Sequence, residues 1–316
     1  MPRSFIRKLP IRNYLEYMLL HGVADVVNVM PMSISTWLAR RIGDMIYYTH
    51  GKRRNTVISN LKLAYKNTLG TKEEKRIAQE TFRNLATSLM EFFRTESVLK
   101  ESARRFEFEG TEHLDAALKD GHGVVLAISH IGSWEYLAFL PYLKKYTISV
   151  IVRETKNPYV YKWIQDLRTK TGLEPMDRVH SAKKTLKRLK ENKVVAVLTD
   201  QWSSSNGIWV NFFGTPTSTT AIPARLSLHT GAAIIPAYCL RVSPGQYKIY
   251  VKPRIHCETG VDTDVSVTEK LNEVLENEIR KFPEQWSWAH KRWKSYEHYI
   301  TLKKNRNKTS TGTTAQ

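Results

Sequence analysis

Val124-Val125-Leu126-Ala127-Ile128-Ser129-His130-Ile131-Gly132-Ser133-Trp134-Glu135 begins as an apolar, β-branched run, stops at a histidine and reaches a glutamate five positions later. The run reads as a buried strand that ends on a polar pair. The spacing by itself says little. With 10 His and 30 Asp+Glu in 316 residues, about one histidine should carry an acid at that distance by chance. The context says more. Residues 118–123 give a turn signal, Gly132-Ser133 marks a helix start, and residues 134–143 are apolar enough for a buried helix before a second strand at 147–152. This is a β-α-β unit with His130 at the carboxyl end of its first strand, where open α/β sheets place their ligand sites.

Strand and helix signals go on alternating downstream. Strands are expected at 124–129, 147–152, 193–199, 233–241 and 247–252, and helices at 133–143, 158–170, 181–190, 219–230 and 266–281. That alternation predicts an α/β fold with a mixed, mostly parallel sheet. The first third is helical in pattern: Ser33 or Ser35 can cap a helix through Tyr48, Lys52-Arg53-Arg54 opens another, and Thr71-x-x-Glu74 is a capping box before a helix to about Leu99. The expected organisation is a membrane-associated helix in 1–32, a main unit in 33–302 that is helical to about 105 and α/β from about 106, and a polar, disordered tail in 303–316.

The formal charge of +19 points to a polyanionic partner, whether nucleic acid, an anionic membrane or an acidic protein. Nucleic acid has nothing further in its favour, because the charges are dispersed and no helix-turn-helix, zinc or RNA-recognition signature occurs. Cys239 and Cys257 are the only cysteines, too few for a disulfide framework, and they suit a reducing compartment. Residues 14–32 are apolar around much of a helix but interrupted by Glu16, His21, Asp25 and Asn28. They read as an interfacial or shallowly inserted helix, the alternative being an amphipathic helix packed on the protein's own core.

Arg153 and Asp200 each follow an apolar strand, so both can project from the same sheet edge as His130 and Glu135. Taken singly, each is as easily a solvated strand end or a turn former.

These residues together resemble the bacterial lipid A biosynthesis (late) acyltransferases, within the wider lysophospholipid acyltransferase group. Ser129-His130-x4-Glu135 looks like the HX4D/E motif, and Val152-Arg153 with Asn157-Pro158 like the next block. Asp200-Gln201 and Val210-Asn211-Phe212-Phe213-Gly214 with Thr215 to Pro223 resemble the third. Pro283-Glu284-Gln285-Trp286-x-Trp288-x-His290-Lys291-Arg292-Trp293 resembles the C-terminal signature, and the Arg54-Asn55 and Asn60-Leu61 segment is similar as well.

The resemblance implies transfer of a fatty acyl chain from acyl carrier protein or acyl-CoA to a hydroxyl of an anionic glycolipid at the cytoplasmic face of a bacterial inner membrane, with no cofactor, metal or nucleic acid. It implies His130 as general base, oriented by Glu135, in a ternary complex without an acyl-enzyme. Arg153 is expected to stabilise the oxyanion or grip an acceptor phosphate, backbone N–H groups near Ile131-Gly132 being alternative oxyanion donors. Asp200 is expected to hold Arg153 or a nearby loop. Phe212, Phe213 and Gly214, with Trp202 and Trp209, are expected either to line an acyl groove or to be core. Other acceptors, such as a phosphatidylinositol mannoside, an aminolipid or a lysophospholipid, stay open, as does a hydrolase in which the His/Glu pair activates water.

Overall fold

The structure, a computed structural model, describes residues 11–152, 154–177, 181–203 and 207–294. Arg153 and the tail 303–316 lie outside them.

Six helices come first: α1 (Ile11–Val29), α2 (Met32–Thr49), α3 (Gly51–Ala64), α4 (Thr71–Phe93), α5 (Thr95–Lys100) and the single turn α6 (Ser102–Arg105). Then follow β1 (Phe106–Glu109), α7 (Thr111–Lys119), β2 (Val124–Gly132), a 3-10 turn at Trp134–Ala138 and α8 (Phe139–Lys144). Next are β3 (Ile148–Val152), α9 (Pro158–Lys170), β4 (Leu173–Asp177), α10 (Ser181–Lys190) and β5 (Val194–Leu198). The chain continues through β6 (Ile208–Phe212), β7 (Thr215–Thr219), α11 (Ile222–Thr230), β8 (Ala233–Ser243), β9 (Gln246–Val251) and α12 (Asp264–Lys281), and a 3-10 turn at Pro283–Gln285 leads into the described end.

Seven strands form one sheet in the order β1-β9-β8-β2-β5-β3-β4. Every pairing in it is parallel except β8 with β9. The mixed, mostly parallel α/β sheet expected from sequence is therefore present. Alternation along β2 sends Leu126 and Ile128 to one face, against Leu137, Ala138 and Phe139. Val125 and Ala127 go to the other, with Leu189 of α10, Ala224 of α11 and Val267 of α12. A third core joins α3 and α4 to Phe212, Phe213, Trp286, Trp288 and Trp293.

The elements β1, β4, α7, β6 and β7 escape the sequence patterns. β1 and β4 are four- and five-residue edge strands, and Pro175 within β4 is tolerated because an edge strand need not donate on its outer side. α7 is a nine-residue helix that leads into the turn signal at 118–123, in a stretch to which the sequence patterns assign no element. β6 and β7 form a separate hairpin closed by Phe213 and Gly214, at φ 54° and 68°, the two left-handed positions of a tight hairpin turn. Glycine suits the second, and Phe213 is held in the first by Glu276, which accepts its N–H at 2.7 Å. The capping box expected at Thr71 does not form, since Gly70 is the cap and no side chain bonds there. One does form on α12 between Thr263 and Ser266. α4 ends at Phe93, not near Leu99, and Arg94 turns the chain into α5.

α1 packs one face on α4, α5 and α9. Tyr17 stacks on Tyr159 and His21 meets Trp163, while Asn28 donates to the Phe93 carbonyl at 2.7 Å. Its other face leaves Ile11, Leu15, Leu19, Val26 and Val29 exposed at helical spacing, and α2 adds Ile34, Trp37, Met45 and Tyr48. Among the described residues no helix is long and apolar enough to cross a membrane.

Candidate active site

His130 sits where β2 breaks register: the pairing with β8 shifts between Ile128 and Gly132. Gly132, at φ 60°, lies so close to Cys239 that a Cβ would stand 2.2 Å from that carbonyl oxygen, so only glycine lets the chain turn here. The His130 carbonyl accepts from the Ser287 N–H at 3.0 Å, and Ile131 bridges to Trp286. The backbone of the histidine is thus fixed by the C-terminal segment.

The adjacent strand β5 delivers Asp200, whose preceding residue Thr199 donates to the Ile128 carbonyl. Asp200 is 2% exposed. Its Oδ1 lies 2.8 Å from His130 Nδ1, and its Oδ2 accepts from the His130 N–H at 2.8 Å and from Trp286 Nε1 at 2.9 Å. Burial alone would raise the carboxyl's pKa, but the nearby His130 and these donors bring it down to about 2. A carboxylate so firmly ionised can only accept, so His130 Nδ1 carries the proton and Nε2 keeps the lone pair. Burial likewise works against the imidazolium, and the charges of Asp200 and, more weakly, Glu135 outweigh it, so the pKa of His130 is raised. The side-chain amide of Gln201 lies 3.3 Å from Nε2.

Glu135, expected from its spacing to orient His130, has a different partner. The 3-10 turn that follows Ser133 carries its carboxylate to Arg168 of α9, which donates two hydrogen bonds at 2.7 and 3.2 Å. The carboxylate that contacts His130 is that of Asp200, because β2 and β5 are paired neighbours and the two residues leave their carboxyl ends together. Among the described residues the donors to Asp200 are His130 and Trp286, and Arg153, which it was expected to hold, lies outside them.

Both His130 and Glu135 line a cleft of about 330 Å³. Its walls are Leu126, Ile128, Ile148, Val150, Leu173, Ala196 and Leu198 from the sheet and Trp134, Leu137 and Ile164 from the helical side. Phe212 and Phe213 do not line it. They are buried against Trp286, Trp288 and Trp293, where they back the tryptophan that holds Asp200. Gly214 is a turn position beside Lys66. Trp202 packs under Lys294, and its backbone N–H donates to His290. Of the backbone donors expected for an oxyanion, the Ser133 N–H is already bonded to the Cys239 carbonyl. Sequence reasoning missed Arg168, a basic residue on an amphipathic helix with no local motif around it.

The C-terminal signature and the Asn60 segment meet in space. Asn60 Nδ2 donates to the carbonyls of Trp288 and His290, both at 2.7 Å. Arg292 is fully buried over the Phe212 ring and donates to Ser218 and Thr219 of β7. Burial pulls its pKa down to about 10.

Known proteins similar to this chain are acyltransferases. Over 189 residues the chain is 30% identical to a phosphatidylinositol mannoside acyltransferase of Mycobacterium tuberculosis, a match covering 58% of each chain. It is 25% identical to the lipid A biosynthesis palmitoleoyltransferase of Escherichia coli K12, over 84% of this chain and 87% of that one. The lauroyltransferase of the same organism is 25% identical, over 87% and 90%. Residues 4–295 match the family model of the bacterial lipid A biosynthesis acyltransferases, a span that takes in the helices, the sheet, the cleft and the tryptophan-rich end, and the chain belongs to that family.

Proposed function

We propose that this protein is a membrane-associated O-acyltransferase that moves a fatty acyl group from a thioester donor, acyl carrier protein or acyl-CoA, to a hydroxyl of a lipid A precursor or similar anionic glycolipid. The observation that carries the reading is His130 Nε2, held by a buried carboxylate on its far side and presented to an apolar cleft. An alcohol is a poor nucleophile at neutral pH. Nε2 takes its proton as the oxygen attacks the thioester carbonyl, and His130 returns a proton to the departing thiolate as the tetrahedral intermediate collapses. The imidazolium formed in between is stabilised by Asp200 and by the charge of Glu135.

Glu135 and Arg168 act as a pair at the cleft, with Arg168 fixing the carboxylate in place. No acyl-enzyme is needed. Among the described residues lining the cleft there is no serine or cysteine, and the hydroxyl of Thr155 is bonded to the Asn157 carbonyl. The apolar walls suit the acyl chain, whose burial contributes about 0.8 kcal/mol per methylene. The exposed apolar stripe of α1 and α2 supports attachment to a membrane surface, and the net positive charge suits an anionic one, at the cytoplasmic face of a bacterial inner membrane.

A second reading changes only the acceptor. The 30% identity to the mycobacterial enzyme favours a phosphoinositol mannoside over a glucosamine lipid. One assay separates the two: detergent-solubilised protein is given acyl carrier protein and acyl-CoA donors against lipid A precursor, phosphatidylinositol mannoside and lysophospholipid. Transfer to a glycolipid is expected. Hydrolysis of the thioester with no transfer to any acceptor would overturn the reading in favour of a hydrolase.

A further inference from the structure

On the face of the sheet opposite the cleft, α10 and α11 leave a second groove between them, of about 370 Å³. Ala182 and Leu186 of α10, Ile222 and Leu226 of α11 and Ile151 of β3 make it apolar. Thr185 also lines it. It is 2% exposed, and its hydroxyl is buried without a hydrogen-bond partner among the described residues. Beside this groove α10 is strongly basic. Lys183, Lys184, Lys187 and Lys190 all lie exposed along about 10 Å of helix. Of these only Lys187 has a carboxylate neighbour among the described residues, Glu191 at 3.8 Å. The helix holds no acidic residue.

We propose that this groove and the lysine face of α10 dock an acidic, helical acyl carrier protein, whose thioester-bearing arm reaches His130 over the carboxyl edge of the sheet. The proposal rests on the acyltransfer reading above and assigns the face that receives the donor. Three observations favour this occupant. An apolar groove rimmed by point charges suits an amphipathic acidic helix, and Arg225 and His229 in its lining add polar groups of basic type. Its placement also suits a partner arriving from water: α1, with its uncovered apolar stripe, lies on α9. α9 lines the cleft on the far face of the sheet from Leu189 of α10 and Ala224 of α11. Finally, α10 is the next element after β4, and α11 follows β5 by way of the β6–β7 hairpin; both strands end at the carboxyl edge of the sheet, the edge that holds His130.

The test is steady-state kinetics of the full chain and of K183E/K187E with two donors, an acyl carrier protein thioester and the matching acyl-CoA. The apparent KM for the carrier should rise by about tenfold in the variant and become less sensitive to salt, with kcat unchanged. Turnover from acyl-CoA should stay within about twofold of wild type. Reversal of two exposed lysines elsewhere, K72E/K75E, should change neither KM. The proposal is overturned by an unchanged carrier KM, by an equal rise for both donors, or by a loss confined to binding of phosphatidylglycerol vesicles. It is equally overturned if wild type uses acyl-CoA but not the carrier, an outcome that leaves the acyltransfer reading standing. Failure with both donors would instead sink that reading itself.

Discussion

Two buried clusters of charge flank the end of β2, and they differ in one respect. On one side Glu91 of α4 meets Arg241 of β8 at 2.5 Å. Glu91 also accepts from Ser133 Oγ at 2.7 Å and Tyr247 Oη at 3.0 Å, and its carbonyl takes Tyr136 Oη at 2.6 Å. Arg241 closes its fork on Asn84, Ser88 and Ser133. The other cluster is Asp200 with His130 and Trp286. There, one atom remains available. His130 lines the cleft, and among the described residues its Nε2 has one hydrogen-bond contact, the exposed Gln201 amide at 3.3 Å. A closed network fixes structure, because each buried polar group already has its partner, whereas a network with one open basic atom can exchange a proton with a substrate.

The comparison can be broken at either end. His130→Ala should lower turnover about 10²–10⁴-fold while leaving the melting temperature close to wild type; near-normal turnover would end its assignment as the base. Removing one partner of the closed cluster should do the reverse. Arg241→Ala leaves Glu91 buried and uncompensated, and chemical denaturation should show a loss of about 3–5 kcal/mol. A fully stable R241A with selectively lost turnover would move that cluster into the active site.

Smaller effects sharpen the same contrast. Glu135→Ala should slow turnover, and Glu135→Gln less so, because the amide can still bond to Arg168 but no longer favours the imidazolium. If Gln is as damaging as His130→Ala, Glu135 is doing more than this. The base must be neutral to act, so kcat/KM should rise with pH through the raised pKa of His130 and be lost below it. The linkage to stability has the opposite sense. A raised histidine pKa contributes stability present below the unfolded value and lost as pH climbs through the folded one, while Asp200, at about 2 against 3.8, loses its contribution only as pH falls from about 4 toward 2.

The outline of the site was legible because strand ends announce themselves: an apolar run that stops on His130 or before Asp200 is a local signal. Which acid meets the histidine was not. Glu135 is five residues away in sequence yet turned toward α9, and Asp200 is 70 residues away yet on the neighbouring strand. Strand order decides this, and no local spacing encodes strand order. The aromatic pair Phe212-Phe213 stayed ambiguous between groove and core for a related reason. Its hydrophobicity is the same whether it lines a groove or supports Trp286, and only the hairpin's packing on α12, where Asn272 donates to the Asn211 carbonyl, selects the second. Glu91 did carry a signal, an acid between Met90 and Phe92 in an apolar helix face, which marks a buried charge in need of a partner. The short edge strands β1 and β4 carry almost none.

The central claim is that Asp200, and not Glu135, holds His130 with Nε2 open to the cleft. An NMR titration of the His130 imidazole in wild type, D200N and E135Q tests it most directly. The account predicts Nδ1 protonated in the neutral wild-type ring, a marked fall in the His130 pKa in D200N and a smaller one in E135Q. A larger fall in E135Q than in D200N, or a neutral ring protonated on Nε2, would contradict it.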